Sequence, residues 1–322
     1  MRYLMRRVLH SCAVLLVVSA LSFVFTELAP GNFFDEMRLN PQISPDSVAK
    51  LKAKFGLEKP VALRYGKWLA SVFRGEFGFS FAYGTPVSSL LWARAKNTLL
   101  LTSVATVFVW IIALVAGTLA AASPGKGVRR LIEVATSILL SAPDVLIALT
   151  LLMYAVRTRR FPAGGMMSPN LADLPAPARI NDLISHLVLP VCALILASLA
   201  VPIRHVQAAL SDSLSSPFMQ AGRAHGIPRR RLLFCYALRS ASGPLLSLFG
   251  LSIGGLLSAS LFVEVIMAWP GIGALLFEAI TARDVFVVVG AILFSAAFLV
   301  IGNLIADLLL YMTDPRIREP MV

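Results

Sequence analysis

The sequence has few charged residues and few residues that commonly perform chemistry. Of its 322 residues, 14% are Asp, Glu, Lys or Arg and 57% are hydrophobic, whereas soluble domains average about 25% charged residues. This balance excludes an ordinary soluble globule and predicts an all-α polytopic membrane protein. The net charge of +12 does not indicate nucleic-acid binding, because the basic residues flank apolar segments instead of forming one soluble face.

Catalytic and ligand-binding signatures are also missing. The three cysteines and four histidines form no CxxC, no HExxH and no closely spaced Cys/His pair, and there is no GxSxG. Gly125 and Lys126 resemble the end of a phosphate-binding loop, but Ala120 stands where that motif needs Gly, and Gly127 where it needs Ser or Thr. We therefore expect no catalytic, metal or cofactor site, and any energy from ATP must come from a partner.

Six apolar segments are long enough to cross a bilayer, which takes about 20 residues of helix. The first follows the basic stretch MRYLMRR, but its apolar run is longer than the roughly 7 to 15 residues of a signal peptide and has no convincing cleavage site, so we interpret it as a retained helix. The predicted spans are 8–29, 98–122, 131–156, 183–203, 244–268 and 285–312.

The distribution of Lys and Arg predicts that both termini are cytoplasmic. With the N-terminus inside, the inner segments hold 14 basic residues and the outer segments hold 15, of which ten lie in the loop 30–97. Loops longer than about 60 residues translocate largely regardless of charge. Without that loop, the inner segments hold 14 basic residues and the outer segments hold five, as the positive-inside rule requires.

Two short helices are predicted in the outer loop. The first is capped by Ser44 or Asp46 and stopped by Gly56; the second runs from Val61 towards Gly75, and both have an apolar face at helical spacing. We expect these faces to pack on the membrane part. The chain then divides into an N-terminus with the first helix (1–29), the outer loop (30–97), a transmembrane core (98–312) and a cytoplasmic tail (313–322).

Asp144 is an acidic residue deep in a predicted span. It follows Pro143, whose missing N–H and ring disturb the third helix and can turn backbone polar groups towards a cavity. A charge near the bilayer centre costs about 3 kcal/mol or more. Asp144 is therefore either a translocation-path residue or the partner in a polar contact between helices.

The segment 204–243 is polar and strongly basic, although it lies between two apolar spans. Ser215 or Ser216 can cap a helix with Pro217 in its first turn, and Phe218 and later residues follow at helical spacing until Gly226-Ile227-Pro228. This pattern predicts a short exposed helix over about 215–227. A charged, helix-prone segment at this place indicates contact with something outside the bilayer.

A second helix is predicted from Pro228, with Arg229, Arg230 and Arg231 in its first turn. Leu232, Leu233 and Tyr236 form its expected apolar face. Arginine at a helix start is unfavourable to the helix dipole. The three arginines are therefore expected to meet anionic lipid headgroups or an acidic partner surface.

The stretch FMQAGRAHGIPRRRLLFCYALRSASGP resembles the cytoplasmic motif of the inner-membrane permease subunits of bacterial ABC importers, in the dipeptide, oligopeptide and nickel branch. Four further stretches resemble that branch in the same order: MRYLMRRVLH, FGLEKPVALRYGKWLASVFRGEFGFSFAYGTPVSSLL, FVEVIMAWPGIGALLFEAI and DPRIR. The motif departs from the family pattern in having Gln220 for Glu, and in Gly222 and His225.

The resemblance implies a type I ABC importer fold and a non-catalytic transport subunit in a bacterial inner membrane. It also implies partners: a sister permease, two ATP-binding cassette ATPases and an extracytoplasmic solute-binding protein. The helix that contacts the ATPases would contain Ser215, Phe218, Met219, Gln220, Ala221, Gly222, Arg223, Ala224, His225 and Gly226.

Within this resemblance, peptides are the expected substrates, and nickel chelates or glutathione are the alternatives. A self-contained channel or secondary carrier is an alternative from a different class. It would explain the spans and the acidic residues, but it gives no reason for the exposed basic helix.

Overall fold

The computed structural model describes residues 2–28, 60–123, 125–169 and 175–313, and nearly all of the regular structure is helical. The elements are α1 (Arg2–Leu28), α2 (Val61–Val72), β1 (Phe79–Ser80), β2 (Thr85–Pro86), α3 (Val87–Ala122), α4 (Lys126–Ser141), α5 (Asp144–Thr158), α6 (Ala176–Ser198), α7 (Ala200–Ser215), α8 (Pro217–Ala224), α9 (Arg229–Arg231), a π-helix (Leu232–Ala237), α10 (Leu238–Ile266), α11 (Ile272–Thr281) and α12 (Val285–Thr313).

Five helical segments in the described residues are long and apolar enough to cross a membrane: Met5–Leu28, Val87–Ala122, Ala176–Ser198, Arg229–Ile266 and Val285–Met312. A sixth crossing is obtained if α4 and α5 are counted as one broken span. The prediction of six apolar segments is therefore confirmed with that qualification. The first predicted helix of the outer loop, with its cap at Ser44 or Asp46 and its stop at Gly56, lies outside the described residues, as does the tail after residue 313.

The third predicted span, 131–156, is wrong as a continuous helix. The axes of α4 and α5 differ by 95° across a short break, where Ala142 and Pro143 have extended backbone. Pro143 has no N–H to give to the preceding turn and disfavours a helical residue before it, so α4 ends at Ser141 and a new helix begins at Asp144.

The basic segment 204–243 is more helical than predicted. α7 continues to Ser215, and the helical stretch that contains α10 begins as early as Arg229. Only 216–228 interrupts the two long helices, and α8 lies within that interruption. The polar composition marked the segment correctly, but polar residues are compatible with a helix that extends beyond the hydrocarbon core.

The chain forms two compact units, one of residues 1–99 and 270–300 and one of residues 100–269 and 301–322. In the first unit, α2 packs on α1 as predicted: Trp68 and Phe23 are buried together, and Arg64 forms a 2.8 Å ion pair with Glu27. The α2 segment ends before Gly75, whose φ of +83° suits glycine.

Small residues allow close helix contacts in the second unit. A Cβ added to Gly250 of α10 would lie 2.5 Å from the Cβ of Ala306 of α12, and one added to Gly117 of α3 would lie 2.6 Å from the Cβ of Val206 of α7. Real atoms do not approach so closely. These helix pairs therefore depend on glycine at the crossing, as is common between membrane helices.

Candidate functional site

One side of the short helix α8 packs against the rest of the second unit. Met219 is fully buried in a cluster with Val206 and Leu210 of α7 and with Leu232 beyond the helix. A Cβ added to Gly222 would lie 2.8 Å from Cδ2 of Leu232. The buried Met219 side chain and the missing side chain at Gly222 thus allow α8 to pack closely on its neighbours.

Polar contacts tie α8 to the end of α7. The Arg223 guanidinium donates to the carbonyl of Leu214 over 3.0 Å, and the Gln220 amide donates to the carbonyl of Ser215 over 3.1 Å. These two carbonyls belong to the last turn of α7, where helix carbonyls have no intrahelical donor. Arg223 and Gln220 therefore satisfy carbonyls at the end of α7 and at the same time attach α8 to that end.

The predicted side-chain cap of α8 is wrong. Ser216 does precede the first helical residue, Pro217, but the Ser216 hydroxyl donates to the carbonyl of Ser213, and the Ser215 hydroxyl donates to that of Asp212. Both hydroxyls therefore serve the C-terminal end of α7. The chain turns between two helices here, so the same serine can serve only one of them.

The end of α8 is a Schellman motif. The N–H of Ile227 donates to the carbonyl of Gly222 (3.1 Å), and the N–H of Gly226 donates to that of Arg223 (3.0 Å). Gly226 has a φ of +76°, the left-handed conformation that this motif requires and that glycine adopts without strain. The predicted stop at Gly226-Ile227-Pro228 is confirmed.

One side of α8 remains exposed. Phe218, Ala221, Ala224 and His225 are all open to the surroundings, and the Phe218 side chain is 50% exposed. The helix thus presents an aromatic ring, two small residues and an imidazole, while Met219 is buried on its inner side. Nothing in the described contacts of this unit covers that face.

The arginines after α8 occupy a first helical turn as predicted. Arg229 donates to the carbonyl of Ala122, the last residue of α3, and a cation is favourable at a helix C-terminus. Arg230 and Arg231 are exposed. In the predicted apolar face, Leu232 is buried, Leu233 packs on the same cluster, and Tyr236 is exposed; a π-helix spans these residues.

Asp144 lies in the first turn of α5, directly after the break, and it is half-buried. A carboxylate at a helix N-terminus is stabilised by the dipole, so its position alone does not require a substrate. In the described residues, no group of three or more His, Cys, Asp and Glu side chains is arranged to hold a metal ion.

A second polar centre, in the first unit, was not predicted from the sequence. The buried Asp284 accepts hydrogen bonds from the Ser80 hydroxyl (2.7 Å) and the Ala82 N–H (3.1 Å), so the hairpin β1–β2 is tied to the start of α12. The Tyr83 hydroxyl donates to Glu278. Burial, and next the hydrogen bond to Glu278, raises the pKa of Tyr83 to about 12, so the donor stays protonated at neutral pH.

Two family models match the chain. Residues 113–319 match the model described as "Binding-protein-dependent transport system inner membrane component", and residues 1–102 match the N-terminal model of the same kind of membrane component. Together the matches include the broken span, α8 and the hairpin.

Known proteins of similar sequence align over almost their full length. The oligopeptide transport system permease protein AppB of Bacillus subtilis is 37% identical, with 98% of this chain and 99% of AppB covered. The dipeptide transport system permease protein DppB of Escherichia coli is 29% identical, with 99% of each chain covered. Among solved structures, the MetNI methionine ABC transporter in an inward-facing conformation matches with a TM-score of 0.57 and 17% identity, over 70% of this chain and 96% of that chain.

Proposed function

Since the chain belongs to the family of inner membrane components of binding-protein-dependent transport systems, the transmembrane subunits of ABC importers, we propose that it imports peptides and that α8 is its contact with an ATPase. Members of this family work with ATPase subunits and a substrate-binding protein. The chain is a multi-pass membrane protein. The proposal adds the substrate, the docking element and the orientation.

The observation that supports the docking element is the two-sided construction of α8. Met219 is buried, and Gly222 lies against Leu232, so the helix moves with α7 and α10 instead of independently. Phe218, at the edge of the exposed face, is half-exposed. A rigid short helix with an exposed aromatic anchor is suited to a groove on a second protein.

In this proposal, one ATPase receives α8 of this chain and a second ATPase receives the equivalent helix of a sister permease. Closure of the ATPases on ATP moves the two helices together and opens the path towards the binding protein. The transport subunit itself performs no catalysis. Asp144 is a candidate for the path; unchanged transport by a fully expressed Asp144→Ala variant would remove it.

The docking role is tested by replacing the exposed anchor. We expect Phe218→Ala to lower ATPase retention on the purified complex by roughly tenfold or more, because an anchor at an interface centre is worth about 2 kcal/mol. The measurement is co-purification of the ATPases with the full-length permease pair. Phe73→Ala is the matched control, since Phe73 is also exposed and lies in the predicted outer loop.

Two results would contradict the docking role. Equal retention by Phe218→Ala and Phe73→Ala would show that α8 does not carry the ATPase contact. Solute flux by the isolated chain in liposomes, without any ATPase, would favour the self-contained carrier or channel.

Peptides are proposed as substrates because AppB and DppB are an oligopeptide and a dipeptide permease protein by name. We expect the cognate binding protein to bind a di- or oligopeptide in a calorimetric panel that also contains nickel chelates and glutathione. Tight binding of a nickel chelate or of glutathione alone would assign the transporter to that substrate and overturn the peptide proposal.

A further inference from the structure

An open cavity of about 470 Å³ lies between α4 and α7, within the second unit. Its walls include Arg129, Glu133, Arg204, Gln207 and Ser211. The cavity therefore has two guanidinium groups, an amide and a hydroxyl as donors, against one carboxylate. Its residues do not belong to α8 or to the arginine turn that follows it.

The single carboxylate is already engaged from two sides. Glu133 Oε1 accepts from Arg129 Nε over 2.8 Å and from the Gln207 amide over 3.1 Å. The bond from Gln207 joins α7 to α4, whereas the bond from Arg129 lies within α4. They also leave the local charge positive, because a second guanidinium shares the same wall.

Arg204 is held in place by neutral groups. Its Nε donates to the Thr136 hydroxyl over 3.2 Å, and its Nη2 donates to the Ser137 hydroxyl over 2.8 Å. In the part of the chain that the structure describes, no carboxylate lies within ion-pair distance of this guanidinium. The side chain is thus oriented on two hydroxyls, while its charge remains available to an anion.

The other side of α4 is strongly apolar. Leu131, Val134 and Ile138 follow at helical spacing, and the Leu131 and Ile138 side chains are 70% and 61% exposed. Because Arg129, Glu133 and Ser137 share the opposite side, α4 has the pattern of a helix at the boundary between hydrocarbon and headgroups. With the apolar side of α4 in the hydrocarbon, the polar side that lines the cavity lies at the depth of the headgroups.

We propose that the cavity between α4 and α7 binds the phosphate headgroup of an anionic phospholipid, with Arg204 and Arg129 as the donors and the apolar side of α4 in the hydrocarbon. Guanidinium groups match phosphate oxygens in geometry and charge. Basic pockets between membrane helices at the cytoplasmic side are suited to such headgroups. The exposed apolar row on the other side of α4 indicates that the helix lies at the hydrocarbon boundary, where the cavity faces headgroups, so lipid is favoured over an acidic protein surface.

The test uses the assembled transporter purified in a neutral detergent and titrated with phosphatidylglycerol, with bound lipid counted by native mass spectrometry. We expect Arg204→Gln to weaken binding on the order of fivefold to tenfold. Arg239→Gln removes the same charge from an exposed residue outside the cavity, and it should leave the affinity unchanged. If Arg204→Gln does not fold, Arg129→Gln serves as the second variant, because Arg129 is exposed.

The proposal is supported if Arg204→Gln weakens phosphatidylglycerol binding and Arg239→Gln does not. Neither phosphatidylcholine nor inorganic phosphate should then compete with phosphatidylglycerol. Equal weakening by Arg239→Gln overturns it in favour of a non-specific charge effect, and effective competition by inorganic phosphate overturns it in favour of a free anion. If Arg204→Gln removes a partner subunit from the purified complex and leaves lipid binding unchanged, the cavity is a protein contact and the proposal is overturned. Since transport is not the readout, failure of the peptide proposal leaves this test unaffected.

Discussion

At the scale of single residues, α8 depends on the side chains that it turns inwards. Sequence spacing groups Phe218, Ala221, Ala224 and His225, and all four are exposed, as are Gln220 and Arg223. Met219 and Gly222 make the contacts that hold the helix. Gly222 is one of the departures from the family motif, and here the missing side chain accommodates Leu232.

Gly226→Val is expected to weaken the coupling of transport to ATP hydrolysis. Valine at a φ of +76° is strained by about 1–2 kcal/mol or more, so the end of α8 must rearrange. We expect lower stimulation of ATP hydrolysis by loaded binding protein, measured on the purified complex, with membrane insertion intact. Gly66→Val is the control, because Gly66 lies in α2 with no positive φ and no atom within 4 Å of an added Cβ; equal stimulation in both variants would contradict the prediction.

At the scale of elements, the breaks between helices shape the fold as much as the helices do. Pro143 divides one predicted span into α4 and α5, and the segment 216–228 inserts a short helix between two long ones. In the first unit, the hairpin β1–β2 has only two residue pairs. Such a hairpin is not stable by itself, so its position depends on the buried carboxylate of Asp284.

Ser80→Ala is expected to lower the stability of the first unit. The change removes a 2.7 Å hydrogen bond to Asp284 and leaves a buried carboxylate with one donor fewer, which costs about 1–3 kcal/mol. A lower unfolding temperature of the purified transporter would show this loss. Ser89→Ala removes an exposed hydroxyl that bonds only within its own turn, and an equal effect of the two changes would argue against a special role of Asp284.

At the scale of the whole molecule, orientation in the membrane stays a prediction that depends on the distribution of Lys and Arg. It assigns α8 and the lipid cavity to the cytoplasmic side, and α2 and the hairpin to the outer side. Both termini would be cytoplasmic. The functional proposals need this orientation, because ATP is available only inside the cell.

The orientation is tested by labelling single cysteines in intact cells. Cys235 is exposed and lies beyond α8, so an impermeant maleimide should not reach it unless the membrane is opened. Phe73→Cys, in a chain without the other cysteines, should be labelled in intact cells because Phe73 is exposed and predicted to be outside. The opposite pattern would invert the topology and exclude the proposed ATPase contact.

How much could be read from the sequence depended on the range of the interactions. Apolar length predicted the membrane helices, and Pro217 with Gly226 predicted the start and end of α8, because these signals act within one or two turns. The caps at Ser215 and Ser216 were misjudged, because the end of α7 competed for both hydroxyls.

The sequence by itself determined that this is a helical membrane protein with a short, sharply ended helix in the basic segment 204–243, since hydrophobicity and backbone preference are local properties. Only the tertiary structure decided which side of α8 is free, that Ser80 meets Asp284 across 204 positions, and that Arg129 and Arg204 share one cavity. These contacts depend on how distant helices pack, and side-chain packing between distant segments leaves no periodic signal in a single chain.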